Sequence, residues 1–121
     1  MKILVCEDNF VMLKTIEHKL VKEGYEVELA PDGQVALEKL KANQYDMVVT
    51  DLLMPYSNGL EIIDFIRNQQ KLKIPIIVLS KVGMEKTVIQ AFDLGTDDYI
   101  VKPFSPNELS MRIKRLINPR E

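Results

Sequence analysis

The sequence predicts an α/β domain, a single doubly wound parallel sheet of five strands with five helices on its two faces. Three observations predict it. Short apolar runs alternate with longer stretches patterned at helical spacing, the rhythm of a parallel sheet covered on both sides. Capping and turn residues fall where that rhythm changes. Finally, 121 residues with 46% hydrophobic content supply one core and leave no room for two catalytic domains.

The elements follow in order. Ile3 to Cys6 is a fully apolar strand, and Leu13, Ile16 and Leu20 form the stripe of the first helix, capped by Asp8 or Asn9 and closed at Gly24. Glu26 to Ala30 alternates and carries Glu26 and Glu28, so it is predicted at a sheet edge. Asp32 opens the next helix, whose stripe is Ala36, Leu37 and Leu40, and Met47 to Thr50 is the third strand. Asn58 caps the helix of Ile62, Ile63 and Ile66, followed by strand Ile76 to Leu79. Val88, Ile89 and Phe92 form the fourth stripe, closed at Gly95, and Tyr99 to Val101 is the last strand. Ser105 opens the final helix of Leu109, Ile113, Leu116 and Ile117, which Asn118-Pro119-Arg120-Glu121 ends in linker-like fashion. Each stripe is expected to cover a sheet face. No linker or repeat interrupts residues 1–121, which read as one domain.

Composition narrows the function. A net charge of -2 and a pI near 5.5 give no basic field for DNA or RNA. No apolar stretch approaches the ~20 residues of a membrane span, and the start is not laid out as a signal peptide, so a soluble chain without membrane contact is expected, and a single thiol inside an apolar run fits a reducing, cytoplasmic compartment. The one cysteine, Cys6, has no partner within the chain and is expected to be a buried packing residue. His18 is expected on the exposed face of the first helix.

Ligands of doubly wound sheets bind beyond the carboxyl ends of the strands. There stand Glu7 and Asp8, then Asp51, Ser80 and Lys102, all expected to converge. Taken singly, Asp8 reads as a helix cap, Ser80 as a turn hydroxyl and Lys102 as a solvated lysine. Together, three carboxylates require a positive partner, and a hard divalent cation such as Mg²⁺ suits all-oxygen ligands. The glycines at 24, 33, 59, 83 and 95 leave none between the first strand and its helix, which excludes a dinucleotide or Walker loop. An acidic site that uses a cation to accept phosphate points to phosphoryl transfer.

Asp51-Leu52-Leu53-Met54-Pro55, the pair Glu7-Asp8, Leu79-Ser80 and Asp97-Asp98-Tyr99-Ile100-Val101-Lys102-Pro103-Phe104 together resemble the receiver domain of bacterial two-component response regulators. Asp46 and Gly59 match as well, and the likeness spans essentially the whole chain. It implies strand order 2-1-3-4-5, a flavodoxin-like sheet. By the same resemblance Asp51 is the phosphoacceptor for a sensor histidine kinase, with Mg²⁺ held by Glu7, Asp8, Asp51 and the Leu53 carbonyl. Lys102 and Ser80 contact the phosphoryl group, and Ser80 and Tyr99 form a switch that reshapes the face of the fourth helix, fifth strand and fifth helix. A cis Lys102-Pro103 bond is also implied.

The segment from Lys102 to Leu109, with Arg112-Ile113, resembles the branch in which the receiver precedes a winged-helix DNA-binding domain. That branch dimerises through charge pairs, for which Asp97, Asp98, Glu108 and Arg112 are candidates, whereas Val88 and Pro119 replace usual basic partners. Lys81 departs too, standing where a small residue is usual. The alternative is a Mg²⁺-dependent phosphatase or phosphotransferase using an aspartyl phosphate. Such enzymes usually place a second acid two residues after the nucleophile, where this chain has Leu53.

Overall fold

In the computed structural model, which describes residues 1–118, strands and helices alternate as expected: β1 (Lys2–Cys6), α1 (Phe10–Lys22), β2 (Glu26–Ala30), α2 (Gly33–Ala42), β3 (Met47–Asp51), α3 (Gly59–Asp64), β4 (Ile76–Lys81), α4 (Glu85–Leu94), β5 (Asp98–Lys102) and α5 (Pro106–Ile117). The strands pair in parallel in the order β2-β1-β3-β4-β5, the flavodoxin-like arrangement. The alternating β2 lies at one edge, and β1, β3 and β4 are buried almost throughout because helices cover both their faces.

Strand alternation divides the core. Leu4, Cys6, Val48, Ile76 and Val78 pack with Ala36, Leu40, Ile62, Ile63 and Ile66 of the helices on one face. Ile3, Val5, Met47, Val49, Ile77, Leu79 and Ile100 pack under Leu13, Ile16 and Leu20 of α1 and Leu109 and Ile113 of α5. A buried Leu or Ile contributes about 1.5–3 kcal/mol, against tenths for a surface ion pair, so these two layers decide the fold.

The caps fall where the side-chain chemistry puts them. Asn9, rather than Asp8, caps α1 through Met12 N–H, and Asp32 and Ser105 cap α2 and α5. Asn58 and Glu61 close a reciprocal capping box at the start of α3. Gly24 and Gly95 leave α1 and α4 with φ of 96° and 113°, where a side chain would be strained. The Lys102–Pro103 bond is cis. Asn118 caps α5 by donating its N–H to Lys114 O; the rest of the expected linker, with Pro119, lies outside the described residues.

Three expectations change. Strands β3, β4 and β5 extend far enough to include Asp51, Ser80 with Lys81, and Lys102, so these residues are held by the ladder rather than by the following loops. After Asp64, α3 continues as a π-helical segment, Phe65–Gln69, which the periodicity did not indicate. The fourth stripe covers the sheet only in part: Ile89 is 61% and Phe92 42% exposed, Val88 packs half-buried against the core, and Ala91 is the buried residue of α4. The reason is position, because α4 packs on β4 and α3 near the border of the sheet, where there is less apolar surface to cover it.

Candidate functional site

Alternation carries the pattern of the α1/α5 face past the core. Glu7 follows Val5 by two residues, Asp51 follows Val49 and Lys102 follows Ile100, so charged groups emerge side by side at the strand ends. With Asp8 and Leu53 they line a cavity of about 310 Å³, which Lys81 also borders. Carboxylate oxygens of Glu7, Asp8 and Asp51 lie within 4.8 Å of one another.

Asp51 is fixed from behind and from the side. Leu52 is buried beneath it, and Gly59 N–H donates to Leu52 O at 2.9 Å. A Cβ on Gly59 would stand 2.4 Å from Asp51 O and 2.9 Å from Leu52 Cα, so only glycine lets α3 begin this close to the end of β3. Leu53 N–H donates to Asp51 Oδ1 at 3.3 Å. At the far end of the sheet Asp46 accepts from Lys2 N–H at 2.8 Å and donates its own N–H to Lys2 O, pinning β3 against β1.

Lys102 Nζ donates to Asp51 Oδ2 at 2.6 Å and lies 2.7 Å from Glu7 Oε1, the latter without hydrogen-bond alignment. Burial works against the ammonium, but the hydrogen bond to Asp51 and the close charges of Asp51 and Glu7 outweigh it and hold the Lys102 pKa above its ordinary value. Burial pushes the Glu7 carboxyl above its ordinary value; Lys102 and Asn9 N–H oppose the shift and the Asp51 charge adds to it. One lysine therefore does not neutralise the site. The buried Glu7 Oε1 without an aligned donor, together with three all-oxygen ligands beside open space, fits a hard divalent cation.

Ser80 does not line this cavity. Strand alternation places it with Ile76 and Val78 on the opposite face, where its buried hydroxyl has no hydrogen-bond partner among the described residues. It borders a second cavity of about 350 Å³ with Met84, Val88, Ile89, Phe92 and Tyr99. Tyr99 meets Phe92 edge to face, with ring centroids 5.8 Å apart.

The charges expected at a dimer surface pair within the chain. Arg112 makes hydrogen bonds to both Asp98 oxygens at 2.9 and 3.0 Å and an ion pair with Glu108 at 3.3 Å. Asp97 accepts from Ile76 N–H at 2.8 Å and from Arg67 at 3.0 Å. Arg67, in the π-helical segment, also donates to Gly95 O and Leu72 O. No local pattern marks it, since its partners at 95 and 97 are 28 and 30 residues away. Phe10 and Val11 lie outside the buried stripe of α1 and are exposed, and Val11 lines a hollow that shares Asn9 and Met12 with the acidic cavity. As expected, Cys6 is buried, which pushes its thiol up to about 12, and His18 is exposed.

This sheet, with an acid-lined cavity at its carboxyl rim, is the architecture of a signal receiver, and residues 3–114 match the family model of the response regulator receiver domain. The chain belongs to that family, the receivers of two-component systems. It is 45% identical over 117 residues to response regulator RR06 of Streptococcus pneumoniae, covering 97% of this chain and 53% of that protein. Identity to transcriptional regulatory protein ResD of Bacillus subtilis is 43% over 117 residues, 96% of this chain and 48% of the relative. The chain spans about half the length of these curated relatives. Among solved structures, the receiver domain of Francisella response regulator 1452 superposes with a TM-score of 0.86 at 35% identity, over 95% of this chain and 94% of that one. Chemotaxis response regulator CheY4 of Vibrio cholerae gives 0.86 at 32%, over 95% and 97%. No helix among the described residues is long and apolar enough to cross a membrane.

Proposed function

We propose that Asp51 accepts a phosphoryl group from the phosphohistidine of a sensor histidine kinase in a Mg²⁺-dependent reaction, and that the product resets the face of α4, β5 and α5. The observation that carries this is the juxtaposition of Asp51 with Lys102 at 2.6 Å inside a cluster of three carboxylates. An Asp51 oxygen forms the new bond to phosphorus as the phosphorus–nitrogen bond breaks, the imidazole keeping the electron pair. Transfer of this kind needs positioning and charge neutralisation more than covalent assistance. Glu7, Asp8 and Asp51, with the Leu53 carbonyl, would hold Mg²⁺, which supplies that neutralisation to the transferring group. Lys102 turns from the Asp51 carboxylate to a phosphoryl oxygen, a change a compact ammonium on a flexible stem makes easily.

The donor has a seat beside the cavity. Phe10 and Val11 are exposed on the first turn of α1, and Val11, Met12, Phe104 and Pro106 line an apolar hollow that shares Asn9 and Met12 with the acidic cavity. The buried Ser80 hydroxyl, without a partner among the described residues, would turn from its own face toward the phosphoryl group, and that movement would empty space next to Tyr99. A new dianion thus biases a two-state element. The α4-β5-α5 face is the proposed surface for a second copy of the chain, with Asp98, Glu108 and Arg112 exchanging partners and Asp97 beside them. Because transcriptional regulators among the relatives are about twice as long, a DNA-binding domain is proposed to follow, with nucleic acid contacted there and not by this domain.

Incubation with acetyl phosphate and Mg²⁺, followed by intact mass, tests the site. One phosphoryl group is expected on the wild type and none on Asp51→Asn; equal labelling of both removes the assignment. Sustained turnover of phosphate monoesters would instead support the phosphatase alternative.

A further inference from the structure

Lys81 is the charged residue at the cavity that the reading above leaves without a task. It is exposed, makes no ion pair among the described residues, and borders both the acidic cavity and the apolar one. Its place in the ladder is informative. Lys81 is the register partner of Lys102, and it stands two residues beyond Leu79, the register partner of Asp51. Alternation therefore gives it the face of Leu79, the face shared by Glu7, Asp51 and Lys102. Because β4 lies between β3 and β5, Lys81 starts one strand from Asp51, about 4.8 Å sideways. Lys102 starts two strands away and still places its ammonium 2.6 Å from Asp51 Oδ2.

The charge balance gives this position a use. Glu7, Asp8 and Asp51 oppose Lys102 alone, and a divalent cation restores neutrality. Converting the Asp51 carboxylate to an acyl phosphate replaces one negative charge with about two. The excess then matches one further ammonium.

We infer that Lys81 is a second phosphoryl-binding cation, closing on the phosphorylated Asp51 from the β4 rim, beside Lys102 and on the same side of β3. The inference rests on the Asp51 reading and assigns a residue that favours the modified state specifically. In the unmodified site the same ammonium is superfluous and repels the metal. Lys81→Met should therefore move two ligands in opposite directions, which a steric or merely structural role would not do.

The test is titration of wild type, Lys81→Met and Lys81→Arg with Mg²⁺ alone and with beryllium trifluoride at saturating Mg²⁺, read by calorimetry. Lys81→Met should bind beryllium trifluoride about three- to tenfold more weakly and Mg²⁺ about two- to fivefold more tightly, with Lys81→Arg close to wild type. Unchanged beryllium trifluoride affinity in Lys81→Met, or a shift of both ligands in the same direction, overturns the role of Lys81. If wild type takes acetyl phosphate on Asp51 while Lys81→Met behaves like it, this inference alone fails. If wild type is not labelled and binds neither ligand, the Asp51 reading fails with it.

Discussion

Replacing Lys102 by methionine isolates the electrostatics of the site. The substitution keeps the apolar stem and removes the ammonium that lies 2.6 Å from Asp51 and 2.7 Å from Glu7. Glu7 has no exposed side-chain surface and Asp51 only 5%, so both carboxylates lose their counter-charge where solvation is poor. Removing one partner of a buried pair costs ~3–5 kcal/mol. The cavity admits water to the remaining groups, which reduces the expected loss to about 2–3 kcal/mol. For a chain of this length that lowers the unfolding midpoint by roughly 10 °C in the presence of a chelator.

The sign with pH is fixed by Glu7. Its folded pKa lies above the ordinary 4.5, so the folded state binds its proton more tightly than the unfolded chain does. Lys102 holds that pKa down, so its loss raises it further; the destabilisation is full above the variant's folded pKa and lifts as pH falls from there toward the wild-type folded value, itself above 4.5. Mg²⁺ should counter it as well. With Lys102 gone its ammonium no longer competes for the carboxylates, and a metal at a hundredfold excess over its Kd stabilises by ~2.7 kcal/mol. Differential scanning calorimetry with and without Mg²⁺, at pH 5 to 8, checks all three outcomes. A Lys102→Met midpoint equal to wild type in chelator, or an equal Mg²⁺ shift in both proteins, would refute the reasoning.

Tyr45→Phe removes the hydroxyl that donates to Glu28, and urea unfolding near pH 7 should show a loss of about 1–2 kcal/mol. That bond, with Lys2, holds the Glu28 carboxyl below its ordinary 4.5, so the loss should be complete above pH 4.5 and vanish as pH falls through the lowered value; a pH-independent difference contradicts it. Gly59→Ala pushes a methyl against the carbonyl of Asp51, and a cost of about 1–3 kcal/mol with slower acetyl phosphate labelling is expected. Wild-type stability and labelling would show that the close approach is dispensable. Sedimentation velocity should detect a dimer when beryllium trifluoride and Mg²⁺ are added; a monomer under both conditions counts against exchange of the Arg112 pairs.

Local physics accounts for how much could be read from the chain. A fully buried strand announces itself by an unbroken apolar run, as Ile3 to Cys6 does, and an edge strand by alternation, as Glu26 to Ala30 does. Asn58 and Ser105 mark helix starts because their oxygens reach N–H groups only three residues ahead. The candidate site was legible for the same reason, since charged residues immediately after apolar runs must emerge at the rim of a parallel sheet. In α4 this reasoning failed. Val88, Ile89 and Phe92 have helical spacing, but spacing does not say how much sheet lies beneath them.

By itself the sequence determined the alternation of elements, their caps and the identity of the charges at the strand ends, all interactions that span a few residues. Only the tertiary structure decided that Ser80 sits across β4 from the acidic cavity, that Arg67 ties the π-helical segment to Asp97, and that Asp98 and Arg112 close on each other within the chain. It also set Lys81 and Lys102 side by side. Those facts follow from strand order and register, which arise from packing between segments far apart in the chain and leave no periodic trace in any one of them.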